Sequence, residues 1–495
     1  MPSGGHSKSY LAFDLGAESG RAVLAHLRAG ILSVEELHRF PNQPIKEGDS
    51  LRWDVRKLWE EMCKALASIK DTELAGIGVD AWGVDYALLG ERGELLENPY
   101  HYRDRRTEGV MEEVSRRVPK EEIYRVTAIQ FMPINTLFQL YAAMRDTPAT
   151  LASAKTLLTI PDLFNYWLTG NAVCEFTNAT TTQLVDAKRR NWATELMQQL
   201  GLPPNLPAPI VEPGANIGTL LPDLAQNSSH KHTPVIAPAC HDTGSAVAAI
   251  TACDGTAFLS SGTWSLIGTE LDAPVITPQA LKHNFTNEGG VNGTTRLLKN
   301  VMGLWILQSC RNHWLSQGHC LDYDQLIRMA VDSPPFAHLI DPDDDSFLRT
   351  SNMPEAIDRF CRRAHQPAPA TPGAYARCAL ESLALKYRLV LRNLEQVCGK
   401  RIEQIRVIGG GSRNHLLNQF TADATGKRVI AGPVEATALG NVGVQILATG
   451  KASSLPEVRA MIDRSFPTEA FEPRDTDKWE QQTERFEQYC EIIYA

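Results

Sequence analysis

The amino-acid sequence predicts an α/β protein built from two domains on one plan, and three observations carry that expectation. A chain of 495 residues is too long for one hydrophobic core, because single cores stop growing at roughly 250–300 residues. Strand-like and helical patterns alternate through both halves. A strand, a Gly/Ser-rich turn and a second strand occur near residue 15 and again near residue 261. Domains are therefore expected over residues 1–245 and 246–495.

Taken in order, Tyr10–Asp14 is a short apolar run that stops at the turn Gly16–Gly20, and Arg21–Leu27 and Ile31–Phe40 extend it into a meander. Asp54 is placed to cap a helix whose apolar residues Val55, Leu58, Trp59, Met62, Leu66 and Ile69 recur every three or four positions. Gly76–Asp80 and Val84–Leu89 read as strands around the turn Ala81-Trp82-Gly83, and helical patterns dominate from about Thr107 to Leu200. Leu202–Gly218, rich in Pro, Gly and Asn, reads as an irregular connection. Val235–Pro238 is the next strand, and His241-Asp242-Thr243 opens a helix of small residues. Thr256–Leu259, the turn Ser260–Thr263 and Trp264–Gly268 repeat the opening unit. A long helix spans about Ala374–Val397 and ends at Gly399 in a left-handed conformation. Ile405–Ile408 and Lys427–Ile430 are strands, the first broken by Gly409-Gly410-Gly411. Asn414–Ala424 is a helix stopped by Gly426, and Gly440–Ala448 belongs to another.

Composition narrows the function. A net charge of −9 and a pI near 5.9 argue against a nucleic-acid surface and against docking on an anionic membrane. No run of about 18 apolar residues occurs, and the N-terminus lacks the apolar core of a secretory signal, so a cytoplasmic protein is expected. The ten cysteines are scattered without Cys-x-x-Cys spacing, so most are expected to be reduced and buried. Cys361 and Cys378 flank a Pro/Ala-rich stretch and are the one pair placed to form a bridge.

Three Gly-rich turns carry chemistry: DLGAESGR (14–21), LSSGTWSL (259–266) and GGGSRN (409–414). Such a turn lets backbone N–H groups approach an anion and form a nest for phosphate oxygens, and Ser, Thr and Arg add donors. Asp14, at the end of a strand beside the first turn, suits a Mg²⁺ ligand acting through water. Each turn alone is equally an ordinary hairpin; the repetition favours the phosphate reading. Gly76–Ala81 fits a loose G-x-G-x-x-A pattern, but its glycines lie within a strand that another strand follows, so no dinucleotide fold is indicated. No P-loop, protein-kinase or hydrolase signature is present. Asp242 is the candidate catalytic base, a carboxylate able to take the proton of a hydroxyl attacking a γ-phosphate; capping of its helix is the competing reading. Trp82 and Asp85 suit a sugar platform or a core turn, and Arg103–Arg106 read as a solvated cluster.

DLGAESGR, DAWGVD, HDTGSA, LSSGTWSL, GGGSRN and GPVEATALGNVG, spread over residues 10–450, resemble the ordered motifs of the FGGY carbohydrate kinases. The resemblance implies two ribonuclease-H-like domains of the actin/hexokinase type around a central cleft, hinged near residues 240–256, with sugar on the first and Mg·ATP on the second. It implies ATP contacts from Ala17, Glu18, Ser19, Gly20, Arg21, Thr263, Gln308 and Gly410, and sugar contacts from Gly83, His241, Asp242, Thr243 and Asn300, with Asp242 as proton acceptor. Glu18 stands where small polar residues are common in the family, so its backbone N–H is expected to serve while its carboxylate points outward. Within the family, WGVDYALL, YRDRRT, IQFMPINTLFQL, TNATTTQL, TNEGG and LKNVMGLWILQ resemble the branch acting on L-rhamnulose, a 6-deoxyketose phosphorylated on C1. The apolar block Ile129–Leu140, with Trp82, is expected to receive its methyl end. Kinases for L-fuculose or L-xylulose, and an actin- or chaperone-like ATPase, are the alternatives. The partners expected are the ketose and ATP, with no nucleic acid and no membrane, in a monomer or homodimer.

Overall fold

The computed structural model describes residues 8–225, 228–251 and 254–491. The chain divides into two compact units, each assembled from three stretches. The first takes in Met1–Thr251, Glu270–Leu297 and Ala436–Phe466; the second takes in Ala252–Thr269, Leu298–Glu435 and Pro467–Ala495.

In the first unit, β1 (Lys8–Leu15), β2 (Ser19–Arg28) and β3 (Ile31–Pro41) form the expected antiparallel meander. Helix α1 (Val55–Ser68) follows, with Asp54 accepting the N–H of Lys57 as its cap. β4 (Leu74–Ala81) returns parallel to β1, as a strand–helix–strand crossover requires. β5 (Asn216–Thr219) and β6 (Pro234–Ile236) complete the order β5-β6-β4-β1-β2-β3. β5 forms at the end of the stretch expected to be irregular, because its backbone finds a partner in β6. Tyr10, Leu11, Ala12 and Phe13 have no exposed surface, so β1 is the core strand. The expected strand at Val84 begins only at Tyr86 and pairs with Thr156–Thr159, inside the region read as helical. Val84 itself sits at φ +70°, which excludes it from a strand.

Helix Ala436–Ala448 begins four residues before the expected Gly440 and packs against β4. Its Asn441 and Gln445 occupy the space that a side chain at Gly78 would need. This close approach explains the glycines of the loose Rossmann-like pattern without a cofactor.

The second unit repeats the plan. β7 (Thr256–Ser261) and β8 (Trp264–Leu271) form the second hairpin, and β9 (Thr295–Met302) leads into α4 (Trp305–Ser316). Helix α5 (Pro372–Cys398) is capped by Thr371, carries Pro372 in its first turn and ends at Gly399 with φ +66°. β10 (Gln404–Ile408), α6 (His415–Thr425), β11 (Arg428–Ala431) and β12 (Glu469–Phe471) follow, and the strands run in the order β9-β8-β7-β10-β11-β12. Cys361 and Cys378 are both buried free thiols, so the candidate bridge does not form. Among the described residues, no helix is long and apolar enough to cross a membrane.

Candidate active site

The first hairpin sets Asp14 opposite Arg21 across the β1–β2 ladder. Arg21 donates to Asp14 Oδ2 through Nε at 2.9 Å and Nη2 at 2.7 Å. The parallel register then places Asp80 of β4 beside Asp14. Asp80 has no exposed surface, and its Oδ2 accepts 2.6 Å from Asn441 Nδ2. Burial, then the charges of Asp14 and Asp242, hold the Asp80 carboxyl well above the ordinary range. Sequence reading passed over Asp80 because the GIGVDA pattern drew attention to its glycines.

Asp242 is the first residue of α3 (Asp242–Ala248), and the capping position belongs to His241, whose side chain makes no cap bond. The simple capping reading of Asp242 is therefore replaced: Oδ1 accepts from the backbone N–H and the hydroxyl of Thr243, the next residue. The carboxyl keeps 30% of its side-chain surface exposed. Burial raises its pKa, with His241 opposing and Asp14 adding to the rise.

The loop that carries His241 is fixed from behind by α2 (Phe176–Thr181). Glu175, fully buried, precedes it. Its Oε1 accepts Thr177 N at 2.9 Å, and its Oε2 accepts Thr177 Oγ1 at 2.6 Å, Asn178 N at 3.2 Å and Cys240 N at 2.9 Å. Thr177 Oγ1 in turn accepts the N–H of His241 at 3.1 Å. Asn178 Nδ2 lies 3.3 Å from the carbonyls of both Cys240 and Trp82. Thr180 Oγ1 accepts Gly289 N at 2.9 Å, and Thr181 Oγ1 accepts Val84 N at 3.0 Å. One short helix thus brings Gly83, His241, Asp242 and Thr243 together. Val84, a β-branched residue in the left-handed region, is held there at both ends, since Thr136 Oγ1 and Gln139 Nε2 donate to its carbonyl.

Trp82 and Asp85 take the core reading. Trp82 is 5% exposed and packs against Trp53 with ring centroids 4.3 Å apart and planes tilted by 41°. Asp85 accepts from both indole N–H groups, from Tyr102 N and from Gln139 Nε2. Burial still pushes its carboxyl up to about 6. The solvated reading of Arg103–Arg106 is corrected for Arg106, which lies 3.6 Å over the Tyr100 ring and donates to Gln139 Oε1. Only Arg105 of the cluster is exposed.

In the turn before β2, Glu18 is exposed, and Asn42 ties the loop by donating to the carbonyls of Gly16 and Glu18. Gly20 lies under the Phe40 ring, which leaves no space for a side chain. In the second unit, the Thr263 carbonyl accepts from Gly303 and Trp305 at the start of α4, and Gln308 lies one turn further along that helix. Gln308 Oε1 is a buried acceptor without a hydrogen-bond partner. Gly411 packs against Ser261, whereas a Cβ at exposed Gly410 would meet nothing within 4 Å. Thr263, Gln308 and Gly410 thus belong to one framework, and Asn300 lies on β9 shortly before it. Among the described residues, no three His, Cys, Asp or Glu side chains are grouped as metal ligands.

Residues 9–249 match the N-terminal domain model, and 257–449 the C-terminal domain model, of the FGGY family of carbohydrate kinases. The chain belongs to that family and has its two-domain kinase fold, which removes the actin- or chaperone-like alternative. Among its relatives, a rhamnulokinase of Bacteroides thetaiotaomicron is 46% identical over 476 residues, 96% of this chain and 97% of the relative. A rhamnulokinase of Bacillus subtilis is 39% identical over 95% of this chain and 96% of the relative. A ligand-bound xylulose kinase of Lactobacillus acidophilus superposes with a TM-score of 0.80 over 98% of both chains at 17% identity, a likeness of fold.

Glu175 makes a measurable claim. Burial pushes its carboxyl from 4.5 to about 8, against the hydrogen bonds from Thr177. A raised folded value means a stabilising contribution complete below pH 4.5 and lost as pH rises through about 8. Glu175→Gln cannot lose that proton. Its deficit in unfolding free energy relative to the parent is therefore expected to shrink as the pH rises across this window, as read by denaturant titration. A deficit independent of pH would show that Glu175 does not titrate there.

Proposed function

We propose that the chain transfers the γ-phosphate of ATP to the C1 hydroxyl of L-rhamnulose, giving L-rhamnulose 1-phosphate in L-rhamnose catabolism. Near-full-length similarity to rhamnulokinases is the observation that carries this reading. Asp242 supports it as general base: it is partly accessible, its raised pKa moves it toward the operating pH, and Thr243 fixes Oδ1. In the step proposed, the C1 oxygen attacks the γ-phosphorus, its proton passes to the Asp242 carboxylate, and the bond to the ADP oxygen breaks. Gly83, His241, Thr243 and Asn300 are assigned to the sugar. Ala17–Arg21, Thr263, Gln308 and Gly410 are assigned to ATP, whose adenine offers donors to an acceptor such as Gln308 Oε1. Mg²⁺ would be held largely by phosphate oxygens and water, with Asp14 as the outer carboxylate, and would spread the charge of the transferring group. Free thiols and a requirement for ATP suit the cytoplasm.

Three outcomes follow. Asp242→Asn is expected to keep ATP binding and lose turnover by about 10²-fold or more; near-normal turnover with lowered thermal stability would return Asp242 to a structural role. Gly410→Val meets open space in the protein, so it is expected to fold normally and to weaken ATP binding far more than sugar binding. Equal losses in separate calorimetric titrations would refute the nucleotide assignment. Finally, L-rhamnulose is expected to give the highest kcat/KM among L-rhamnulose, L-fuculose, L-xylulose and glycerol, with phosphate on C1 by NMR. L-Fuculose or glycerol ahead would leave the kinase and reject the substrate.

A further inference from the structure

His241 sits where charged groups meet on both sides of one ring. Its side chain is 9% exposed, and Nε2 lies 3.5 Å from Asp242 Oδ1. On the far side, Nδ1 is 3.1 Å from Arg296 Nη2 and 3.1 Å from Glu288 Oε2. Arg296 has no exposed surface; its Nε donates to the Gly289 carbonyl at 2.8 Å, and Nη2 lies 3.2 Å from Glu288 Oε2. Gly289 is itself anchored to Thr180 of α2. The guanidinium is therefore fixed in place independently of the ring it faces.

A neutral imidazole has one donor and one acceptor nitrogen, whereas the imidazolium has two donors. A guanidinium only donates and keeps its proton at any working pH. The contact between Arg296 and Nδ1 has hydrogen-bond alignment, so Nδ1 must be the acceptor. Glu288 stands at ion-pair distance and balances the buried positive charge. Carboxylates flank both nitrogens, Asp242 at Nε2 and Glu288 at Nδ1, and each attracts an N–H, so the guanidinium's hydrogen bond to Nδ1 is what decides between the two tautomers.

We infer that Arg296, balanced by Glu288, is a positioning residue that holds His241 as the neutral tautomer protonated on Nε2, making the ring a fixed hydrogen-bond donor to a sugar oxygen beside Asp242. The use of that donor rests on the acceptor-site reading above; the tautomer does not. The consequence is a division of labour. An Nε2 lone pair would compete for the proton of the attacking hydroxyl, but Nε2–H cannot accept it. Asp242 then stands without a rival base on that side, while His241 orients the sugar.

The decisive measurement is the long-range ¹H–¹⁵N spectrum of the full chain labelled at histidine, with His241 assigned by the signal lost in His241→Asn. The expected pattern at neutral pH is an unprotonated Nδ1 and a protonated Nε2. A proton on Nδ1, or an imidazolium at neutral pH, would overturn the inference. Kinetics give a second reading. Arg296→Met is expected to raise the ketose KM about tenfold while changing the ATP KM less than about twofold. Arg296→Lys, which restores a donor, should bring the ketose KM back to within about threefold. A folded Arg296→Met enzyme with the parent's ketose KM would also overturn it. If that variant does not fold, the parent spectrum still decides. A chain that phosphorylated no ketose would leave the spectrum unchanged, so the two readings fail separately.

Discussion

A carboxyl group shut away from water must be given hydrogen-bond partners, and how Glu175 obtains its partners governs the acceptor site. Leaving such a group unpaired costs several kcal/mol. Two backbone N–H groups at the start of α2, the Thr177 hydroxyl and the N–H of Cys240 meet the need. The same bonds satisfy orphan donors of a helix start and stitch that helix to the strand end leading into His241 and Asp242. Thr177, Asn178, Thr180 and Thr181 then reach three segments between them: Cys240–His241, Trp82–Val84 and Gly289. The position of the proposed base is thus inherited from a group that never meets substrate. Buried polar networks are costly when one member is missing, so the residues of α2 stand or fall together.

The other buried acids show that burial alone does not assign a role. Asp85 shares its two oxygens among four neutral donors and binds the Trp53–Trp82 pair beneath Gly83. Asp80 has one donor, Asn441, and two acidic neighbours, so its energy depends on the charge around it. Arg21 is partly committed as well: two of its N–H groups serve Asp14, and Nη1 lies 3.9 Å from Glu36. An arginine held in this way has its guanidinium oriented by the protein itself. The nearness of Asp14 and Asp242 to Asp80 is repulsive in itself and adds to the rise of the Asp80 carboxyl.

Local signals made much of this readable in sequence. The two hairpins, the Asp54 cap, the long helix closed by Gly399 and the stops at Gly409 and Gly426 each arise from residues within a few positions of one another. Family motifs put forward His241, Asp242, Thr263 and Gly410 as candidates, and their roles are proposals. What stayed hidden depends on contacts between distant residues. Gly78 is small because Asn441 and Gln445 arrive from a helix more than 350 residues later. Val84 leaves the strand pattern because Thr136, Gln139 and Thr181 hold it. Glu288 and Arg296 matter through a ring on another element. TNATTTQL and TNEGG were visible as family stretches, yet nothing local says which loop each threonine will hold.

Selectivity among ketoses is where the structure most changes the expectation from sequence. Trp82 and the block Ile129–Leu140 promised an apolar wall for the 6-methyl group. Instead Trp82 spends its face on Trp53 and its N–H on Asp85, and Leu137, Phe138 and Leu140 have no exposed surface. Ile129, Phe131 and Ile134 keep only 4–8%. These side chains are committed to the core and offer little surface to a ligand. A methyl contact gives about 1–3 kcal/mol of discrimination at best, whereas a buried polar group left unpaired by the wrong hydroxyl costs more. Of the polar atoms proposed to face the sugar, the His241 ring is held from behind by Arg296, and Asp242 Oδ1 and the Thr243 hydroxyl hold each other. Groups that cannot reorient cannot adapt to an inverted hydroxyl. Discrimination should therefore follow hydroxyl stereochemistry more than the methyl, because this chain made its donors and acceptors rigid and committed its apolar side chains to the core.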